Sequence, residues 1–174
     1  MSIALGTVVA IILIGVVSYF TGGHVTGAVG TTNALDGTTV QGFNIVGLQG
    51  GHVSAPWRKG HAAVLVFFAS WCGPCKAEMP NVEAYVRSHK LGSVQLIGID
   101  SNDPHGSALS FVNKVGVTFP VGVDGNKAVA AGMFNISALP DTAFVSAKGV
   151  VSQIILGAVT DAELKSGIAA LRAS

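Results

Sequence analysis

The sequence predicts an α/β domain in which helices cover both faces of a central mixed sheet, preceded by one transmembrane helix. Three observations predict the domain. Two continuous apolar runs, residues 62–70 and 94–100, are typical of strands buried on both faces. Segments with helical periodicity follow them, at residues 73–89 and 104–116. Two later strands joined by a turn at residues 147–149 give the sheet an antiparallel side.

The N-terminal residues 1–22 are predicted to be a transmembrane anchor. Ile3 to Phe20 is an uncharged run of 18 residues, and the first charged side chain is Asp36. As a helix rising ~1.5 Å per residue, this run spans ~27 Å, close to the hydrocarbon thickness of a bilayer. A cleaved signal peptide is the alternative, but its apolar core is typically about 7–15 residues and follows a basic leader. No Lys or Arg precedes this run.

A linker and a folded domain follow the anchor. Residues 23–42 are rich in Gly and Thr and lack periodicity, which predicts a flexible linker with only a little extended structure near its end. The domain is expected over residues 43–174. It opens with a hairpin of two short strands around the Gly50–Gly51 turn.

The rest of the domain alternates strands and helices. The helix that follows the second long strand begins near Pro104 and ends at Gly116, residues that favour a start and a stop. A short strand and a short helix come next, at residues 119–124 and 126–135. The last helix opens with Thr160 followed by Glu163 three residues later, a capping-box pattern.

Composition argues against some classes of partner. The formal net charge is +1 with no basic cluster, so there is no electrostatic reason to expect nucleic acid. The five histidines are scattered and show no metal-ligand spacing, so no metal site is predicted.

The chemistry lies in "FFASWCGPCKAEMP", which holds the only two cysteines, Cys72 and Cys75. A disulfide across two intervening residues closes a small ring and stabilises little, and a zinc site would need further ligands. A redox pair needs only what is present. Cys72 falls where a strand ends and a helix begins, where backbone N–H groups and the helix dipole favour a thiolate. Cys75, one turn later, is placed to resolve a mixed disulfide.

This segment resembles the active site of the thioredoxin superfamily, and more narrowly that of the membrane-anchored TlpA/ResA/CcmG-like thiol–disulfide oxidoreductases. The pattern W-C-x-P-C-[KR]-x-E-x-P is matched from Trp71 to Pro80. A long insertion at residues 94–135 and the segment "ALPDTAF" before a hairpin and a terminal helix also match. The similarity covers roughly residues 43–172 and implies a thioredoxin-like fold with a central insertion.

The resemblance also implies roles for individual residues. Cys72 and Cys75 form the redox-active disulfide, with no other cofactor, and Glu78 transfers protons beside them. Ordinary thioredoxins carry an Asp six positions before the first cysteine, where this chain has Val66. A buried Glu78 with a raised pKa would exchange protons with Cys75 near neutral pH; a solvated helix glutamate is the alternative.

Five residues are expected to contact the substrate: Trp71, Gly73, Pro74, Leu139 and Pro140. The resemblance implies that Pro140 is in cis and brings the Leu139–Pro140 backbone beside Cys72, where an extended substrate segment can pair with it.

The next residue, Asp141, departs from the family, in which Thr is usual. Its carboxylate would disfavour the Cys72 thiolate if it were close, or it would point to solvent.

The predicted function is disulfide exchange with protein substrates on the extracytoplasmic side of a bacterial cytoplasmic membrane, to which a single helix anchors the chain. Gly-Pro between the cysteines matches reducing members of the superfamily, which favours a reductase. Apocytochrome c is one candidate substrate, and a membrane protein of the CcdA/DsbD type is the expected electron donor. The alternatives are a disulfide-forming oxidase of the same fold, a Sco-like copper-delivery protein and, as a lesser rival, a peroxidase of the peroxiredoxin class.

Overall fold

A computed structural model of the chain describes residues 35–174. The predicted transmembrane helix and the first part of the predicted linker lie outside these residues. Among the helices of the described part, none is both long enough and apolar enough to cross a bilayer.

Within residues 35–174, seven strands form two sheets. They are β1 (Asn44–Val46), β2 (His52–Ser54), β3 (Ala63–Phe68), β4 (Gln95–Ser101), β5 (Val121–Asp124), β6 (Asp141–Val145) and β7 (Val151–Leu156). β1 and β2 form the expected N-terminal hairpin, and the other five form a sheet in the order β5-β4-β3-β6-β7. β3, β4 and β5 are parallel, whereas β6 and β7 run antiparallel to them. The predicted mixed sheet with one antiparallel side is confirmed.

The helices also follow the predicted order. They are α1 (Gly73–Ser88), α2 (His105–Val115), α3 (Ala130–Phe134) and α4 (Asp161–Ala173), with a 3₁₀ helix at Pro56–Lys59. Gly116 ends α2 in the left-handed conformation at φ 76°, which glycine adopts without a Cβ clash. Thr160 and Glu163 form the predicted capping box at the start of α4.

The central sheet separates two apolar layers. Side chains of α1, α2 and α4 pack on one face, and side chains of α3, the 3₁₀ helix and the N-terminal hairpin pack on the other. All six residues of β3 are buried, because this strand lies in the middle of the sheet and is covered on both faces. Helices therefore cover both faces as predicted, with the long ones on one side and the short ones on the other.

The last residues of the predicted linker pack against the domain. The backbone N–H of Gly37 donates to the carbonyl of Val151 at 2.8 Å, and Val151 donates back to Thr38 at 2.9 Å. Val40 is buried and donates to Gly149 at 2.8 Å. This extended segment pairs with the beginning of β7, so the ordered structure begins before residue 43. Its composition gave little sign of this, because pairing with a distant strand leaves no local periodicity.

A buried glutamate holds α1 in place. The Glu83 carboxylate accepts hydrogen bonds from the backbone N–H and the hydroxyl of Thr118, at 2.9 and 2.8 Å, and from Arg87 at 2.6 Å. These charge-assisted bonds join the middle of α1 to the segment before β5. They help to fix the helix whose first turn carries the cysteines.

Candidate active site

The two cysteines lie at the junction of β3 and α1 and form a disulfide bond. After β3 ends at Phe68, a turn is closed by the hydrogen bond from the Cys72 N–H to the Ala69 carbonyl at 3.1 Å. Cys72 is the N-cap of α1, and its sulfur accepts a hydrogen bond from the Cys75 N–H at 3.2 Å. Pro74 stands in the first turn, where a missing N–H costs nothing. This placement stabilises negative charge on Cys72 Sγ once the disulfide opens.

The two cysteines differ in their access to solvent. Cys75 is completely buried, whereas Cys72 is 5% exposed and lines an open groove of about 380 Å³. A substrate sulfur can therefore approach Cys72 from the groove. In the described part of the chain no such approach to Cys75 is open, so Cys75 takes part in exchange through its bond to Cys72.

Four of the five predicted substrate-contacting residues line this groove: Trp71, Gly73, Pro74 and Leu139. Trp71 is 57% exposed, so its ring offers an open apolar surface beside Cys72. The fifth residue, Pro140, does not line the groove; it is buried, and its bond to Leu139 is cis as expected.

Glu78 lies on α1 three residues after Cys75, on the same face of the helix, and is 3% exposed. Its Oε1 accepts a hydrogen bond from the backbone N–H of Val159 at 2.6 Å. Its Oε2 is buried without a hydrogen-bond partner among residues 35–174. The pKa of Glu78 is raised to about 7, chiefly by burial; the charge of Asp141 also raises it, and the bond from Val159 opposes both effects. Because the side chain is buried, the solvated alternative is wrong.

Asp141 is buried as well and does not point to solvent. Its Oδ1 accepts a hydrogen bond from the backbone N–H of Gly157 at 2.8 Å. Burial raises the pKa of its carboxyl, and the bond from Gly157 opposes this effect. The residue that departs from the family pattern therefore adds a second buried carboxyl group whose charge acts on Glu78.

Several residues of the site were missed from the sequence. The lining of the groove is completed by Ser101, Lys127, Ala130, Ile136, Ser137 and Ala138. Two aspartates near the end of β4, Asp100 and Asp103, lie near the turn that carries Cys72. The sequence pattern could have predicted their position. β4 is parallel to β3, and the carboxyl ends of parallel strands meet at one edge of the sheet, so the residues that follow β4 are expected beside the cysteines that follow β3.

Within residues 35–174, no group of three or more His, Cys, Asp or Glu side chains is arranged to hold a metal ion.

A family model described as "AhpC/TSA family" matches residues 37–154, more than half of the chain. The chain belongs to the AhpC/TSA family. The thiol-disulfide oxidoreductase ResA of Geobacillus kaustophilus is 27% identical over 136 residues, which cover 78% of this chain and 78% of that protein.

Two solved structures extend the likeness to three dimensions. DsbF of MTB is 32% identical, with a TM-score of 0.66 over 74% of this chain and 94% of that chain. A secreted disulfide oxidoreductase of Mycobacterium tuberculosis, described as homologous to E. coli DsbE, is 27% identical. Its TM-score is 0.64 over 74% of this chain and 96% of that chain.

These findings confirm the thioredoxin-like fold and the resemblance to ResA-type enzymes. They also confirm the predicted class of enzyme, a thiol–disulfide oxidoreductase that uses a redox-active disulfide.

Proposed function

We propose that this member of the AhpC/TSA family is an extracytoplasmic protein-disulfide reductase. The observation that carries the proposal is the unequal access of the two sulfurs: Cys72 opens onto a groove at the head of a helix, and Cys75 is completely buried behind it. A substrate is therefore captured at one sulfur and released by the other.

The reductive half-reaction begins with the dithiol form. The Cys72 thiolate attacks a substrate disulfide, which forms a mixed disulfide and expels one substrate sulfur as a thiolate. Cys75 then loses its proton and attacks Cys72 Sγ, which restores the Cys72–Cys75 disulfide and expels the second substrate sulfur. Two electrons and two protons pass from the enzyme to the substrate.

Glu78 is the group placed to take the proton of Cys75. Both residues are buried on one face of α1, and Glu78 has a pKa of about 7. A base with a pKa near the working pH is the most effective one. The Val159 N–H partly stabilises the carboxylate that remains when Glu78 is ionised, so the group is tolerated in both forms.

Charge beside the cysteines supports the reductive direction of electron flow. A strong oxidant of this class stabilises its reduced form, chiefly as a thiolate. Here Glu78 lies on α1 three residues after Cys75, and its carboxylate, when ionised, disfavours a thiolate at that sulfur. Less stable thiolates make a stronger reductant, which supports a reductase over an oxidase. A reduction potential near that of DsbA, about −120 mV, would overturn this direction; we expect one closer to thioredoxin, about −270 mV.

Location and partners complete the proposal. Residues 1–22 are proposed to anchor the chain in a bacterial cytoplasmic membrane with the domain on the outer side, in support of which one structural relative is described as secreted. Structural disulfides persist in that compartment, so a reductant there needs a supply of electrons. A membrane protein of the CcdA/DsbD type is the proposed donor, and apocytochrome c is a proposed substrate.

A trapping experiment with the full-length chain tests the exchange. Cys75→Ser removes the resolving sulfur, so the mixed disulfide on Cys72 should accumulate and its partner can be identified by mass spectrometry. The matched control, Cys72→Ser, should trap nothing. If both variants retain wild-type reduction of protein disulfides, the proposal is wrong. Stoichiometric copper binding without reductase activity would favour the Sco-like alternative instead.

A further inference from the structure

The turn that carries Cys72 is held from outside by one carboxylate. Asp103, two residues after β4, accepts a hydrogen bond from the backbone N–H of Ser70 and a second one from the Ser70 hydroxyl at 2.8 Å. These groups are 33 residues apart in sequence. Both bonds are charge-assisted and share one planar acceptor, so together they fix the orientation of Ser70 as well as its position.

Ser70 is one of the two central residues of the turn from Ala69 to Cys72. The other central residue is Trp71, which is largely exposed and lines the groove. The turn thus binds Asp103 through Ser70 and presents Trp71 and the following sulfur to the substrate. A change in the orientation of Ser70 would move both of these groups.

A second aspartate acts on the first through its charge. Asp100 is completely buried on β4, and neither of its carboxyl oxygens has a hydrogen-bond partner in the described part of the chain. Burial, followed by the charge of Asp103, raises the pKa of Asp100 to about 7.

The remaining charged group near Asp100 is already engaged. Asp124, at the end of β5, accepts hydrogen bonds from the backbone N–H groups of Val129 and Ala130 at 3.1 and 2.8 Å. Its charge acts on Asp100 without a hydrogen bond between them. The hydrogen bonds of this cluster therefore join Asp103 to Ser70 and Asp124 to the start of α3.

We propose that Asp103 is a positioning residue for disulfide exchange, which fixes the turn that presents Cys72 and Trp71 by binding Ser70. This inference rests on the proposed function, since it concerns the same sulfur. Asp103 touches no reacting atom; it acts through the turn.

The test compares five variants of the full-length chain: Asp103→Ala, Asp103→Asn, Ser70→Ala, the double variant Ser70→Ala with Asp103→Ala, and the exposed control Asp161→Asn. The reduced proteins react with 5,5′-dithiobis(2-nitrobenzoate) across a range of pH, which yields the pKa of Cys72 and the limiting rate constant of its thiolate. Thermal unfolding of each variant is measured in parallel.

Asp103→Ala should lower the limiting rate constant by about tenfold, because small displacements of a reacting group are costly. Asparagine can accept the Ser70 N–H and donate to its hydroxyl, so Asp103→Asn should restore the rate to within about threefold of wild type. Ser70→Ala removes one of the two hydrogen bonds, so its rate constant should lie between those of Asp103→Ala and Asp103→Asn. The double variant should be no slower than Asp103→Ala, because Asp103→Ala already removes both hydrogen bonds between these two residues.

The inference is overturned if Asp103→Ala lowers only the melting temperature while the rate constant and the Cys72 pKa stay at wild-type values. It is also overturned if Asp103→Asn is as slow as Asp103→Ala, because the geometry would then not be the cause. Should Asp103→Ala fail to fold, Ser70→Ala decides, and a wild-type rate contradicts the inference. A wild-type protein that does not react with disulfides at all would instead refute the proposed function.

Discussion

Two buried carboxyl groups on the side of the sheet that carries α1, Glu78 and Asp100, share a pKa of about 7 but differ in their surroundings. In both cases burial is the largest cause of the shift. Glu78 accepts a backbone N–H from Val159, which eases its ionisation. Asp100 receives no such bond from the described residues and lies against Asp103.

The difference shows that a raised pKa does not by itself assign a role. The proton of Glu78 can leave, because an N–H group stabilises the carboxylate that remains, and Cys75 lies one turn away on the same helix. Asp100 has no such donor among the described residues, and its ionisation would place a negative charge near those of Asp103 and Asp124. Glu78 thus lies on the same helix face as a cysteine that must lose a proton, whereas Asp100 lies near other carboxyl groups.

The largest difference between Glu78 and Asp100 is expected in the rate at which the enzyme reduces protein disulfides. Glu78→Gln should slow the reduction of protein disulfides at pH 7 by about 10²-fold, the usual contribution of a general base, and should shift the titration of the cysteines. Asp100→Asn should leave the cysteine titration in place. Steady-state rates and cysteine alkylation measured against pH check both variants. Equal pH profiles for Glu78→Gln and wild type would remove the role of Glu78.

Glu78 and Asp100 should both contribute to the pH dependence of the free energy of unfolding. Their pKa values rise from 4.5 for Glu78 and 3.8 for Asp100 to about 7 on folding, so between these limits the folded state holds protons that the unfolded state has lost. Stability is then greatest at low pH and falls as pH rises towards 7, by about 1.4 kcal/mol per pH unit for each group.

Urea unfolding of the oxidised protein at several pH values measures this slope. Glu78→Gln and Asp100→Asn should each flatten it by a similar amount, because an amide does not titrate. The exposed control Asp161→Asn should keep the wild-type slope. A stability that rises between pH 5 and pH 7 in wild type would show that neither group keeps its proton in the folded state.

The smallest effect is expected at Asp141. Its charge is the last of the causes that act on Glu78, after burial and the bond from Val159. Asp141→Asn should therefore lower the pKa of Glu78 and move the acidic limb of the pH–rate profile to lower pH, with little change in the maximal rate. Carboxyl chemical shifts of Glu78 followed by NMR during a pH titration measure this directly. A Glu78 pKa that stays the same or rises would mean that the two carboxyls do not interact.

Much of the fold could be predicted from the sequence because it depends on local patterns. The apolar run of β3 predicts a central strand, since a strand covered on both faces cannot alternate. Gly116 and the pair Thr160 and Glu163 mark helix ends through their own backbone and side-chain chemistry. The pairing of residues 37–40 with β7 was only partly anticipated, because its partner lies more than a hundred residues away.

The residues of the site likewise include some that the sequence predicts and others that it does not. Cys72 and Cys75 were identified at the junction of β3 and α1, and the resemblance pointed to Glu78. No sequence motif identifies Asp103. An aspartate in "IDSND" looks like an ordinary loop residue, and its contact with Ser70 becomes evident only when β4 is placed beside β3.

A cysteine pair at the point where an apolar strand passes into a helix opened by proline can be predicted from the chain alone, because strand and helix patterns and the helix dipole act over a few neighbouring residues. The buried carboxyl groups of the site, and the contacts of each, become known only from the folded arrangement, because desolvation and hydrogen bonding depend on the atoms that surround a group in space. For Glu78 and Asp103 these atoms come from residues 81 and 33 positions away.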